Sequence, residues 1–364
     1  MEIGSAGYAN LLRREIAERN REYARGRVHV ESYGSDPVVV YGPDHPTDKD
    51  SSLHPMKQER LHGDPASVGT PRRELSEDGG ECHGNFYDEA YRAIRARPEW
   101  AKRFSKVHTG GRRLPRPEDP RRKWRELDSC MSSDALLMNF FCTPGVAEAP
   151  AVRRMLGIDA GEGPVFGWKA RVPLKSGLFD RTEVDMRWGN LLLEAKLTEG
   201  DFQTRAAKIV EGYRDFEAVF DRELLPRVEV TLARRKHAVE FAEEFTQEWE
   251  DTSALAPDEA GAIAGEFHAG LVAEAVERAP REVRYRSYQL IRNVLAAHAA
   301  GARFCVICDE RRPDLHEAWF KVMAAVWSAE MRTRCLMLTW QELAAVAPVG
   351  LREFLEVKYG IVAG

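Results

Sequence analysis

The chain is poor in the features that would make it a membrane or a disulfide-held protein. No stretch approaches the roughly 18 uninterrupted apolar residues that a membrane span needs, so a membrane role is excluded from the expected functions. Six cysteines (Cys82, Cys130, Cys142, Cys305, Cys308, Cys335) in 364 residues are too sparse for a disulfide scaffold. The opening residues carry charge before any apolar block forms, unlike a secretory leader, so the expected location is cytoplasmic. Phosphate-loop chemistry has little support, since Gly161-Glu162-Gly163 has neither a third glycine nor a Gly-Lys-Ser ending. No internal repeat is visible. What remains is a soluble composition, 43% hydrophobic and 30% charged, long enough for one large domain with insertions or for two.

The formal net charge of -5 hides a separation. Between Arg92 and Arg125 there are thirteen Lys or Arg against three acids, interleaved with Trp100, Phe104 and Trp124; between Ala238 and Pro280 there are eleven acids against one base. Cations neutralise a phosphate backbone and aromatic faces stack on bases, so the first segment is a candidate nucleic-acid contact, with Arg112, Arg113, Arg121, Arg122 and Lys123 as its gripping residues. An Arg-rich solvated connector explains it equally well. The acidic segment reads as helical, an insertion at about 222–282.

Helical spacing predicts an amphipathic helix over residues 6–25, an appendage by this reading, followed by a polar linker to about residue 85. Two short helices broken near Pro98 follow. Residues 132–141 read as a helix capped by Ser132 or Ser133 and ended by Pro144 and Gly145. From Pro164 to Leu197 the pattern turns extended, predicting three strands, the last two joined as an antiparallel hairpin at Gly189-Asn190. An apolar stripe from Phe202 to Phe220 predicts one long helix over 201–222. A helix over 285–300, a buried strand ARFCVICD, a strand RCLMLTW and a capping box of Thr339 with Glu342 complete the series. The domain reading is an N-terminal part over 1–85, a core over 86–330 with a basic lead-in over 86–128, and a C-terminal strand and helices over 331–364.

Residues two apart on a strand face the same way, so Glu183 with Asp185, and Glu194 with Lys196, are expected to share faces that the hairpin brings together. Three carboxylates and an ammonium among apolar residues must be paired or bind metal. Two carboxylates on adjacent strands suit a hard divalent ion that keeps waters for a substrate to replace, and such an ion suits phosphodiester hydrolysis, with the lysine near the attacking water. An interstrand salt bridge of Lys196 with Asp185 or Glu183 explains the residues without chemistry.

Asp185, eight residues, then Glu194-Ala195-Lys196 resembles the motif of the restriction-endonuclease-like PD-(D/E)XK nucleases, with Val184 where the family name has Pro. The resemblance implies an α/β fold: a core of helix, three-strand meander, helix and strand, here with an N-terminal extension and a helical insertion. It implies Mg2+, with Mn2+ as a substitute, held by Asp185 and Glu194, and Lys196 assisting the water; Glu183 is a candidate extra ligand. Over about residues 84–320 the chain is also similar to a subgroup of restriction endonucleases; superfamily nucleases often carry a polar residue on the helix before the motif and a Gln, Tyr or Arg on one after it, which implies Asp134, Tyr288, Gln289 and Arg292 as candidates to touch metal or phosphate. The implied activity is DNA cleavage in restriction, phage defence or repair; RNA stays open as a substrate and a homodimer as an assembly. A nucleic-acid-binding or assembly protein that keeps the fold without cleaving is the alternative. Cys305 and Cys308, three apart on a strand, read as core residues rather than a metal pair, and Cys82-His83 with Cys130 and Cys142 is too irregular for a zinc site.

Overall fold

The computed structural model describes residues 5–24, 30–33, 38–41, 82–107, 125–159, 161, 163–231 and 281–364. Arg112, Arg113, Arg121, Arg122 and Lys123, and most of the acidic insertion, lie outside the described residues. The protein is a mixed α/β structure built on a five-stranded sheet.

That sheet contains β1 (Val165–Lys169), β4 (Glu183–Trp188), β5 (Leu191–Ala195), β9 (Arg303–Cys308) and β10 (Cys335–Thr339), ordered β10-β9-β5-β4-β1. Between β1 and β4 lies a small hairpin of β2 (Val172–Pro173) and β3 (Phe179–Asp180). β5, β9 and β10 run parallel, while β4 is antiparallel to β5 and to β1. The two-residue turn at Gly189-Asn190 is as expected: Trp188 pairs with Leu191, and Gly189 takes the positive φ (+57°) such a turn favours.

Each face of the sheet has its own core, because alternate residues point opposite ways. Leu191, Leu193, Cys305 and Ile307 pack in one core with α2 (Asp88–Arg95), α3 (Ser133–Phe141), α6 (Trp340–Ala345) and α7 (Val349–Tyr359); Leu192, Phe304, Val306 and Cys308 pack with α4 (Tyr288–Ala299) and α5 (Pro313–Ala325). Cys305 and Cys308 are thus core residues of opposite faces. The alternation breaks at one point of β4: Val184 packs into the α4 side and Met186 into the α3 side. The break falls between the paired positions Phe166↔Met186 and Trp168↔Val184, where Gly167 sits at φ +65°.

Local signals explain the helix ends. Ser132 Oγ accepts from Ala135 N (3.1 Å) and starts α3. Thr339 and Glu342 form the expected reciprocal box at α6.

Three expectations need correction. The 201–222 segment is not one helix but a strand, β6 (Thr204–Ala206), with short turns of helix at Ala207–Val210 and Phe216–Val219. Its backbone is claimed elsewhere: Gly212 O accepts from Lys175 N and Arg214 N donates to Pro173 O, which removes groups a helix would use. The acidic insertion is not helical at its roots, which are β7 (Arg227–Thr231) and β8 (Arg281–Arg286), paired antiparallel with Thr231 opposite Arg281. β8 also pairs with β6, so the helix expected from 285 begins only at Tyr288. Finally, α1 (Ser5–Tyr23) is no appendage: Leu12 and Ile16 are buried, and Asn20 Nδ2 donates to Lys358 O of α7 (2.9 Å).

Candidate functional site

β4 and β5 stop exchanging ladder bonds beyond Met186↔Leu193, and side chains take over there. Asp185 Oδ2 accepts from Ala195 N (2.8 Å). Glu194, on β5, is buried; its Oε1 accepts from Lys196 Nζ (2.6 Å) and its Oε2 from Asn293 Nδ2 of α4 (2.8 Å). The backbone after the motif is held too. Trp340 Nε1 donates to Lys196 O (3.0 Å), and the fully buried Arg312 donates to Leu197 O (3.1 Å).

Asp134 stands in the first turn of α3, where the helix dipole favours an anion. It does not stand alone. Arg103 Nη2 and Lys106 Nζ both reach its Oδ2 (2.5 and 3.0 Å), and the same two cations reach Glu183 Oε1 (3.0 and 3.1 Å). Gly167 makes room for this arrangement, since a Cβ there would lie 2.0 Å from Arg103 Nη1. Glu183 therefore sits in an ion-pair cluster with Arg103, Lys106 and Asp134, away from the Lys196 ammonium.

The charges divide unevenly. Burial raises the Glu183 pKa, but the bonds from Arg103 and Lys106 outweigh it and hold the carboxyl below its usual value. Asp185 moves the other way: burial first, then the facing Glu194 and Asp134 carboxylates, push its pKa well above the ordinary 3.8, against which Lys196 and the Ala195 N–H count for less. Burial lowers the Lys196 pKa, yet Glu194, Glu199 and Asp185 more than reverse that, so the lysine is a firmly held ammonium. Its Nζ lies 5.7 Å from the Phe202 ring centroid.

Of the residues expected at a site, Asp185, Glu194 and Lys196 gather as predicted, and Asp134 is near enough to act on Asp185 electrostatically. Tyr288 turns elsewhere, its hydroxyl 2.8 Å from Tyr213 Oη, which donates to Asp180 Oδ2 (2.5 Å). Gln289 is half-buried and takes part through its backbone N, which donates to Phe202 O. Arg292 reaches the site only through Asn293, its Nε 3.5 Å from Asn293 Oδ1, while its guanidinium lies 5.4 Å from the Tyr288 ring centroid. Sequence reasoning missed Asn293, Arg103 and Lys106. Asn293 could have been found by following α4 one turn on from Gln289, since i and i+4 share a helix face.

Among the described residues, no group of three or more His, Cys, Asp or Glu side chains is arranged to hold a metal ion as it stands. The donor set nevertheless fits a hard divalent cation. Asp185 and Glu194 bring two carboxylates close enough to act on each other, the donor type that would hold Mg2+, which is commonly bound by one or two carboxylates with water completing its shell.

The family model of restriction endonucleases associating with ARP matches residues 50–360, most of the chain and all of this site. The chain belongs to that family. No curated protein and no solved structure matches it significantly. Membership makes a restriction-endonuclease-like, nuclease-type protein the frame for the geometry above. Among the described residues no helix is long and apolar enough to cross a membrane.

Proposed function

We propose that this family member is a divalent-metal-dependent DNA endonuclease of the PD-(D/E)XK type, its core being α3, the meander β1-β4-β5, α4 and β9. One observation carries the reading: where β4 and β5 part, the Asp185 carboxylate accepts from Ala195 N beside Glu194, whose carboxylate meets the buried Lys196 ammonium, and burial, then the Glu194 and Asp134 charges, raise the Asp185 pKa. A cation bound by Asp185 and Glu194 relieves that repulsion. When bound, Mg2+ supplies a water of lowered pKa and offsets charge on the phosphoryl oxygens. The chain's own residues do the rest. Lys196 stays protonated and orients the attacking water or stabilises the growing negative charge, Asn293 keeps Glu194 turned inward, and Trp340 and Arg312 fix the backbone that aims the lysine. The basic segment around Arg112, Arg113, Arg121, Arg122 and Lys123 grips phosphates, and Glu183, already neutralised by Arg103 and Lys106, is an accessory rather than a principal ligand. Association with ARP, as the family's description has it, and a cytoplasmic setting belong to the same proposal.

A second reading keeps the fold without cleavage. It is favoured by the occupation of both Glu194 oxygens by Lys196 and Asn293. Incubating the purified protein with supercoiled, linear and single-stranded DNA in Mg2+, Mn2+ or EDTA separates the two. The nuclease nicks or cuts in metal alone, and Asp185→Asn, which keeps the shape and the bond from Ala195, loses the activity by about 10²-fold or more. DNA binding that is the same with and without chelator, with no product under any condition, establishes the non-cleaving protein.

A further inference from the structure

The hairpin β2-β3 stands between β1 and β4, and its returning arm carries two large apolar side chains in solvent: Leu178, which closes the turn, is 68% exposed, and Phe179, paired with Pro173, is 45% exposed. Its turn is ordered. Leu174 N donates to Leu178 O (2.9 Å) and Gly177 N to Leu174 O (3.0 Å), with Gly177 at φ +83°. The base is anchored more firmly still. Arg214 N donates to Pro173 O, Lys175 N to Gly212 O, and Asp180 accepts from Tyr213 Oη, which meets Tyr288 at the start of α4. α4 is the helix whose Asn293 holds Glu194. The finger is therefore braced against the candidate catalytic site and bare at its end.

The residues flanking the hairpin are cationic. Arg171 lies over the Phe179 ring, its Cζ 4.4 Å from the centroid, and Lys169, Arg171 and Arg181 are exposed and meet no carboxylate among the described residues. Lys175 shares a loose pair with Glu217 (3.2 Å), and the hairpin's own acid, Asp180, faces inward to Tyr213. Two exposed apolar side chains on a hairpin flanked in the chain by exposed cations suit a polyanion that has apolar material between its charges. Protein interfaces also use Arg and aromatic groups, but the centre of such a patch is depleted in charge, whereas here three exposed cations flank two apolar side chains. In DNA the phosphates flank stacked bases, and apolar wedges of Leu or Phe enter a base step from the minor groove, unstack it and kink the duplex.

We propose that the hairpin 172–180 is a DNA wedge: Leu178 and Phe179 insert between base pairs while Lys169, Arg171 and Arg181 hold the flanking phosphates. The inference rests on the DNA-cleaving role proposed above and adds a substrate form to it, a distorted duplex. Phe179 and Asp185 are six positions apart in the chain. At roughly 3.3 Å per residue the wedge lies at most about 20 Å from the carboxylates, which is about six base steps along a duplex.

The test works without cleavage and without a known recognition sequence. Relaxed closed plasmid is treated with metal-independent topoisomerase I in EDTA in the presence of the protein, and a short end-labelled duplex reports affinity by anisotropy and bending by energy transfer. Wild type changes the plasmid's linking number and shortens the duplex. Leu178→Ala/Phe179→Ala loses both effects and binds about tenfold more weakly. Arg171→Gln keeps the distortion and lowers the salt slope of binding by about 1. Wild type that binds and cleaves DNA without distorting it, or a double variant that distorts DNA as wild type does, overturns the wedge and leaves the nuclease reading intact; the tip is then a surface for protein. Wild type that binds no DNA at all overturns both.

Discussion

Glu183 and Asp185 stand two residues apart on β4 and end in opposite electrostatic situations. Glu183 is met by Arg103 and Lys106 and its pKa falls; Asp185 is raised by burial first and then by the Glu194 and Asp134 carboxylates, against which Lys196 and one backbone N–H count for less. The strand itself supplies the separation. At Gly167 and Asp185 the in-and-out alternation breaks, so neighbours that a regular strand would hold on one face turn to different surroundings. A charge compensated by the protein's own cations is finished as structure, whereas one left facing its like needs something from outside. On the function proposed here Asp185, not Glu183, is the principal metal ligand of the strand.

The sharpest way to break this comparison is cleavage itself. Asp185→Asn is expected to lose about 10²-fold or more of the metal-dependent activity and Glu183→Gln less than about tenfold, measured on the same plasmid; equal losses would erase the distinction. Next in size is Lys196→Met. It strands the Glu194 carboxylate, whose side chain is 3% exposed, and should cost about 3 kcal/mol in denaturant unfolding. Arg103→Gln removes the cation shared by Asp134 and Glu183. It should cost less, about 2 kcal/mol, because Lys106 remains and Glu183 is a third exposed.

The smallest effect is the most diagnostic. An aspartate whose folded pKa lies above its unfolded value binds protons more readily when folded, so stability falls as pH rises through that interval. Metal-free wild type should therefore lose stability relative to Asp185→Asn as pH climbs above the ordinary 3.8, and Mg2+ should close the gap for wild type alone. A melting series from pH 4 to 8 with no divergence between the two proteins would contradict the assignment.

Much of this architecture was legible in the chain. The Gly189-Asn190 turn, the Ser132 cap, the Thr339 box and the apolar run of β9 are local signals, and each produces the element it predicts. The motif triad was legible for the same reason, since a two-residue turn leaves little choice of register. Where the reading failed, the deciding partner lay far along the chain. Tyr213 belongs to an apolar stripe with helical spacing, yet its hydroxyl goes to Asp180 and Tyr288 and its neighbours bond to the β2-β3 hairpin, which breaks the helix. Arg103 and Lys106 fall within the basic segment and nothing nearby in sequence sets them apart from its other cations; their carboxylates arrive from α3 and β4. Asn293 carries no charge and belongs to no motif, so only the fold reveals that it supports Glu194.

The central claim is that Asp185 and Glu194 await a divalent cation. Titrating Mg2+ or Mn2+ calorimetrically into the wild type, Asp185→Asn and Glu183→Gln tests it without substrate. The account predicts saturable binding to the wild type that Asp185→Asn abolishes and Glu183→Gln preserves. Binding unaffected by Asp185→Asn, or lost instead with Glu183→Gln, would contradict it.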